Sequence, residues 1–87
     1  MITDYYVRSL VEKNMAKAQQ LFISGREAER VHQFTAAKSN YELSLGRYKD
    51  CYELSESYND TGCMMDAKQG IDRVQKALDK MNGLTKN

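Results

Sequence analysis

The sequence predicts an all-α fold, an antiparallel three-helix bundle, and three observations carry this prediction. The 87 residues contain no proline and only five glycines, so few residues interrupt a helix. No segment alternates apolar and polar residues in the manner of a β-strand. Instead, apolar residues recur at intervals of three and four, which places them along one face of a helix. Together these features predict helices that pack on one another.

The first helix is predicted over residues 4–31. It begins after Thr3, a residue type common at helix N-caps, with Asp4 in the first turn. Its apolar residues share one face and leave charged residues on the other, so the helix is amphipathic. This apolar face comprises Val7, Val11, Ala18, Leu21 and Ala28.

The end of the first helix is open to three interpretations. Segment 24–27 reads Ser-Gly-Arg-Glu, which fits a capping box and would begin a new helix near Gly25. A shift in the apolar face favours a turn near His32 instead, with Thr35 as the next cap. One unbroken helix over residues 3–58 is the third interpretation. We favour the turn near His32 because it gives helices of similar length that can pack along their whole extent.

The second helix, predicted over residues 35–57, is the centre of the predicted bundle. Segment 58–62 then reads Tyr-Asn-Asp-Thr-Gly, which is typical of a turn. The apolar stripe of the second helix starts just before the helix, and six of its seven positions are apolar or aromatic. The seven positions are Val31, Phe34, Lys38, Tyr41, Leu45, Tyr48 and Tyr52.

The third helix is predicted over residues 63–82. Its apolar positions alternate threes and fours, the pattern of a left-handed bundle seam. We expect Gly83 to cap its C-terminus. The seam comprises Met64, Ala67, Ile71, Val74, Leu78 and Met81.

Length and charge limit the classes of protein to which the chain can belong. Residues 1–87 are expected to form a single helical domain with a modest core. Thirteen basic and twelve acidic residues give a formal net charge of +1, whereas proteins that bind phosphate backbones usually carry a larger basic excess. No apolar run reaches the roughly 20 residues that span a bilayer. Cys51 and Cys63 are predicted to be free thiols, too far apart along the helices for a disulfide. We therefore expect a cytoplasmic protein.

The sequence gives little indication of catalytic chemistry. His32 is the sole histidine, and although Glu29-x-x-His32 has the spacing found in di-iron bundles, such sites need a second copy and two further carboxylates. Neither cysteine lies in a recognisable nucleophile motif, and the glycines form no phosphate-binding loop. We predict no enzymatic activity, no metal and no cofactor.

Acidic and tyrosine residues are concentrated near the end of the second helix. The chain has no basic residue between Lys49 and Lys68, and antiparallel packing would bring the N-terminus to the same end. Tyrosine is favoured at interfaces because its ring is apolar and its hydroxyl polar. We predict that this end binds a basic surface of another protein; the alternative is that the tyrosines only cap the core. The candidate residues are Asp50, Tyr52, Glu53, Glu56, Tyr58 and Asp60, together with Tyr5 and Tyr6.

Two stretches resemble known helical modules, over about half of the chain. Segment 73–78 reads Arg-Val-Gln-Lys-Ala-Leu and resembles the closing helix of a microtubule-interacting-and-transport domain. This resemblance, and a second one to a tetratricopeptide helix pair, imply a module that binds peptides or helices in a groove. The pattern that resembles a tetratricopeptide helix pair comprises Gly25, Phe34, Ala37, Tyr41, Glu42 and Leu45.

The favoured function is therefore a small non-enzymatic protein-interaction module that acts as an adaptor or inhibitor by binding a larger protein. The alternative is a dimeric, helical nucleic-acid-associated protein that uses Arg73, Lys76 and Lys80 on one flank of the third helix. Their charges are interrupted by Asp72 and Asp79, which is more typical of a solvated surface. A third interpretation is a structural or assembly subunit whose long helices form a homodimer.

Overall fold

The computed structural model describes residues 2–85, with side chains from residue 6 onwards. Within that part, α1 runs over Ile2–Arg30, α2 over Phe34–Ser57 and α3 over Thr61–Thr85, and there is no strand. Three-residue turns connect consecutive helices in antiparallel directions, giving an elongated molecule of 50 × 16 × 15 Å. The predicted all-α three-helix bundle is confirmed.

Both turns use the same backbone geometry. His32 and Asn59, one in each turn, adopt left-handed conformations with φ of 63° and 56°. The residues that follow, Gln33 and Asp60, donate their N–H groups to the carbonyl five residues earlier, at 2.8 and 2.9 Å. A left-handed residue followed by this hydrogen bond is the Schellman motif, which satisfies the free carbonyls at a helix end.

The first turn settles where α1 ends. The chain forms two separate helices with the turn at residues 31–33, so the turn predicted near His32 is confirmed. The capping box near Gly25 and the unbroken helix are wrong. Thr35 was the expected cap of α2, but the structure places Gln33 there, without a side-chain cap bond. The Schellman motif ends α1 through the backbone, and no side chain caps the N-terminus of α2.

The boundaries of α3 also differ from the prediction. The helix begins at Thr61 because the Asp60 carboxylate accepts the N–H of Cys63 at 3.2 Å and caps the first turn from outside the helix. It continues past Gly83 to Thr85. Gly83 has no positive φ, and a glycine stops a helix only where it adopts the left-handed conformation.

Small side chains of α2 bring it close to α1. The Ser44 hydroxyl donates to the carbonyl of Ala18 at 2.7 Å, and the Cys51 thiol donates to the carbonyl of Val11 at 3.6 Å. Both bonds are buried and lie seven residues apart on each helix. They fix the antiparallel register of α1 and α2, and only short side chains would leave room for them.

The predicted apolar stripe of α2 is wrong at one end and incomplete elsewhere. Val31 lies in the turn and is 50 % exposed, while Phe34, Lys38, Leu45 and Tyr52 are half-buried. Because α2 packs against both α1 and α3, its buried arc is wider than one stripe and includes small residues that a hydrophobicity pattern ignores. The buried residues of α2 are Ala37, Tyr41, Ser44, Tyr48, Cys51 and Ser55.

The predicted faces of α1 and α3 agree better with the structure. In α3 every predicted seam position is buried or half-buried, because this helix packs chiefly against α2. In α1, Val7, Val11 and Ala18 are buried, while Leu21 and Ala28 are only half-buried. The fully buried members of the α3 seam are Ala67, Val74, Leu78 and Met81.

Two tyrosines of α2 lie over glycines of the neighbouring helices. The Tyr41 ring covers Gly25 of α1, where an added Cβ would lie 2.6 Å from ring atom Cε1. The Tyr48 ring covers Gly70 of α3, where an added Cβ would lie 2.6 Å from Cδ1. Real Cβ atoms do not approach a ring so closely, so both positions require glycine. The two rings thus pack on different neighbours of α2, and α1 and α3 touch each other little.

Two buried serines of α2 provide a matched test of core polarity. The Ser55 hydroxyl has no hydrogen-bond partner among the described residues, whereas that of Ser44 is bonded to α1. Burying an unbonded hydroxyl is unfavourable, so we expect Ser55→Ala to raise the free energy of unfolding by about 1 kcal/mol. Ser44→Ala should lower it by about 1 kcal/mol. Urea unfolding followed by circular dichroism measures both changes; equal losses for the two variants would contradict this assignment.

Candidate functional site

The fold gathers three chain segments at one end of the molecule: the start of α1, the end of α2 and the start of α3. Val7 of α1, Cys51 of α2 and Ala67 of α3 pack in one core cluster at this end. This end carries the exposed side chains that we term the acidic pole. The acidic pole comprises Tyr6, Asp50, Glu53, Glu56, Tyr58 and Met65.

The acidic pole exposes large apolar side chains beside its carboxylates. Tyr6 is 64 % exposed, Tyr58 45 % and Met65 63 %. Asp50 and Glu53 are exposed on the last turns of α2, where acidic residues face the negative end of the helix dipole and lower helix stability. The pole therefore combines features that local stability does not explain.

Two of the predicted binding residues, Tyr52 and Asp60, contact other parts of the fold. Tyr52 is half-buried and packs against the core cluster that contains Val11 and Cys51. For this tyrosine, the alternative that it caps the core applies. Asp60 is half-buried, and its hydrogen bond from the Cys63 N–H lowers the pKa of its carboxyl group. The side chain of Tyr5 lies outside the described residues.

The two cysteines are free thiols, as predicted. Burial raises the pKa of Cys51 to about 11. The pKa of Cys63 is also raised, first by burial and then by the neighbouring carboxylate of Asp60. Because the thiolate is the reactive form of cysteine, raised pKa values make both thiols poor nucleophiles at neutral pH.

A polar cluster joins all three helices at the opposite end. The Tyr41 hydroxyl donates to Glu29 Oε1 at 2.8 Å, and Lys80 Nζ donates to Glu29 Oε2 at 2.6 Å. The hydrogen bond from Lys80, followed by that from Tyr41, lowers the pKa of Glu29. Sequence reasoning considered Glu29 only as a partner for His32, but the His32 ring lies edge-on to Phe34, 5.6 Å away. Only the pairing of α1 with both other helices reveals the role of Glu29.

The ion pair with Glu29 involves one of the three basic residues predicted on the flank of α3. Arg73, Lys76 and Lys80 are all exposed, but Lys80 forms an ion pair with Glu29. Next to this cluster, an open depression of about 330 Å³ is lined by four charged residues of α1, two acidic and two basic. Among the side chains of residues 6–85, no group of three or more histidine, cysteine or acidic residues is placed to hold a metal ion.

No protein-family model matches the chain, and no curated protein or solved structure is significantly similar to it. Among the described helices, none combines the length and apolar character needed to cross a membrane. Function is therefore inferred from the surface itself.

Proposed function

We propose that the protein is a non-enzymatic interaction module that binds a larger protein through the acidic pole, as an adaptor or inhibitor. The observation that carries this proposal is that exposed Tyr6, Tyr58 and Met65 lie at the same end of the molecule as exposed carboxylates. Aromatic and methionine side chains are enriched at protein interfaces. The same end bears the carboxylates that would orient a partner.

The chemistry of the pole favours a partner with a basic surface. Asp50, Glu53 and Glu56 supply negative charge around the exposed tyrosines. Charge complementarity raises the rate of encounter and selects against acidic partners. The tyrosine rings then provide apolar area that is buried on binding, while their hydroxyl groups remain available for hydrogen bonds.

Non-enzymatic action is supported by the interior of the bundle. Apolar, tyrosine and small side chains fill the described core. The thiols have raised pKa values, which is the opposite of what nucleophilic catalysis requires. Two free thiols suit a reducing compartment, and we propose a cytoplasmic location on that ground.

Charge reversal at the pole tests the proposal. We expect the variant Glu53→Lys/Glu56→Lys to lose a partner that the wild-type protein retains in affinity capture from cells of the native host. Glu42→Lys/Asp72→Lys is the matched control, because it makes the same charge change at exposed positions outside the pole. Mass spectrometry identifies the retained proteins, and binding of each variant to the purified partner gives its affinity.

The outcomes of this experiment are distinct. A partner with a basic surface that binds the wild type and the control, but binds the pole variant at least about tenfold more weakly, supports the proposal. Tyr58→Ser should weaken the same complex without reversing any charge. A partner that binds all variants equally, or the absence of any partner, contradicts it.

The two remaining interpretations are tested separately. Binding of nucleic acid would depend on Arg73 and Lys76, because Lys80 is paired with Glu29, and a gel shift at low salt would reveal it. The groove binding implied by the tetratricopeptide-like and microtubule-interacting-and-transport-like stretches stays a prediction. It would place a peptide along the helices and not at the pole.

A further inference from the structure

A hydrogen bond between α1 and α2 marks one side of the molecule. Arg47 Nη1 donates to Asn14 Oδ1 at 2.9 Å on the exposed surface. On each helix, one leucine lies four residues before the residue that forms this hydrogen bond, and another lies seven residues after it. These spacings keep the side chains on the same helix face. We term this side the leucine face. Its leucines are Leu10 and Leu21 on α1, and Leu43 and Leu54 on α2.

The leucine face is not fully covered by the chain itself. Leu43 is 57 % exposed, and Leu10, Leu21 and Leu54 are half-buried. Single exposed leucines are common on protein surfaces, but an aligned set along two packed helices is typical of an interaction surface. The leucines span 11 residues on each helix, about 17 Å, in the middle part of a molecule that is 50 Å long.

Charge is unevenly distributed along the same axis. The half that contains the acidic pole, residues 6–16 and 47–72, carries seven acidic and five basic side chains. The other half, residues 17–46 and 73–85, carries seven basic and four acidic side chains. A second copy in the opposite direction would place each acidic half beside a basic half. A copy in the same direction would place like charges together, which is unfavourable.

The shape of the molecule favours contact along its side. A side of 50 × 16 Å gives a footprint of roughly 800 Å², which is the area that each partner buries in a standard stable interface. Two copies that meet end to end would share only an end of 16 × 15 Å, roughly 240 Å², which is in the range of weak contacts; a larger partner at the acidic pole would also cover the sides of the last turns of α2. Side-by-side association therefore offers the area that a stable dimer needs, whereas end-to-end association does not.

We propose that the leucine faces of two copies pack together in antiparallel orientation about a two-fold axis, forming a homodimer. The register of α1 and α2 places Leu10 and Leu54 in the acidic half, and Leu21 and Leu43 in the basic half. The two-fold axis brings Leu10 and Leu54 of one copy against Leu21 and Leu43 of the other. Helices α1 and α2 of both copies then form a four-helix bundle, in which the same surface of each copy makes the interface. The two acidic poles lie at opposite ends of this dimer and remain free.

Sedimentation equilibrium of the full chain tests the proposal. We expect the wild-type protein to have twice the chain mass of 10.0 kDa. Leu43→Glu places a charge in the interface and should raise the dimer dissociation constant at least about 30-fold, as expected for a lost hot-spot contact. Leu84→Glu is the matched control, because Leu84 is also exposed, at 48 %, and lies in the basic half, but on α3 and outside the leucine face. It should leave the dissociation constant unchanged.

Salt dependence tests the orientation of the two copies. Antiparallel packing predicts that the dissociation constant rises as salt screens the opposite charges. A monomer at every concentration, a mass that keeps increasing beyond two chains, or equal effects of Leu43→Glu and Leu84→Glu would overturn the proposal. A dissociation constant that falls with salt would overturn the antiparallel arrangement. Circular dichroism establishes that each variant is folded; if Leu43→Glu is not, Leu43→Ser replaces it with the same expected direction.

Discussion

Gly70→Ala should lower the free energy of unfolding by about 2 kcal/mol, although alanine is the better helix former. The added methyl group would lie 2.6 Å from Cδ1 and Cζ of Tyr48. Because Tyr48 is only 3 % exposed, its ring has no free space into which to move. Overpacking of this kind costs about 1–3 kcal/mol, and we expect the upper part of that range. The gain in helix propensity of about 1 kcal/mol offsets part of it.

Gly46→Ala is the control for this prediction. Gly46 also lies inside a helix, but nothing lies within 4 Å of an added Cβ. The same substitution should therefore raise the free energy of unfolding by about 0.5–1 kcal/mol. Urea unfolding of both variants measures the contrast.

A double-mutant cycle identifies the cause of the loss at Gly70. In a Tyr48→Leu background the ring atoms are absent, so Gly70→Ala should become neutral or stabilising. Gly25→Ala, beneath Tyr41, should follow the same pattern as Gly70→Ala. If Gly70→Ala stabilises the protein as much as Gly46→Ala, the close packing of tyrosine on glycine is refuted.

Glu29→Ala should lower the free energy of unfolding by about 2–3 kcal/mol. It removes the acceptor of the Tyr41 hydroxyl and the partner of Lys80. Tyr41 is fully buried, so its hydroxyl would remain without a hydrogen bond, at a cost of about 1–3 kcal/mol. The ion pair adds less because Lys80 is largely exposed. Glu29→Gln keeps an acceptor for Tyr41 and should lose only about 1 kcal/mol.

The pH dependence of stability provides a second measurement at Glu29. Its pKa is lowered in the folded state, so its contribution is present above the ordinary carboxyl pKa and disappears as the pH falls through the lower, folded-state pKa. Glu29→Gln should therefore lose less stability than the wild type on acidification. Asp60, whose pKa is also lowered, titrates in both proteins and does not affect the comparison. Parallel acid-unfolding curves would contradict the role of Glu29.

Much of the fold could be predicted from the sequence because the signals are local. The seam of α3 is a run of apolar residues at helical spacing, and the turns coincide with breaks in that spacing. The central residues of α2 were less predictable, since Ala37, Ser44 and Cys51 are buried for their small size and not for strong hydrophobicity. The contacts of Tyr41 and Tyr48 with glycines depend on which residues of separate helices come together. Periodicity within one helix carries no such information.

The candidate site was predictable to a similar degree. Acidic residues and tyrosines near the end of α2 could be located from the sequence, and antiparallel packing correctly placed Tyr6 at the same end. Tyr52 was predicted both in the apolar stripe of α2 and among the binding residues, and the structure shows that it packs against the core. The cap that Asp60 provides for α3 could not be inferred from helical spacing. Glu29 was missed for a related reason: its two partners lie 12 and 51 residues away.

The two Schellman turns have a consequence for the kinetics of folding. Each joins neighbouring helices through three residues, and α1 and α3 touch each other little. Most native contacts therefore form within one hairpin or the other, and chains with such a low contact order fold within microseconds to milliseconds. The hairpins share α2, so either can close first and provide a template for the remaining helix.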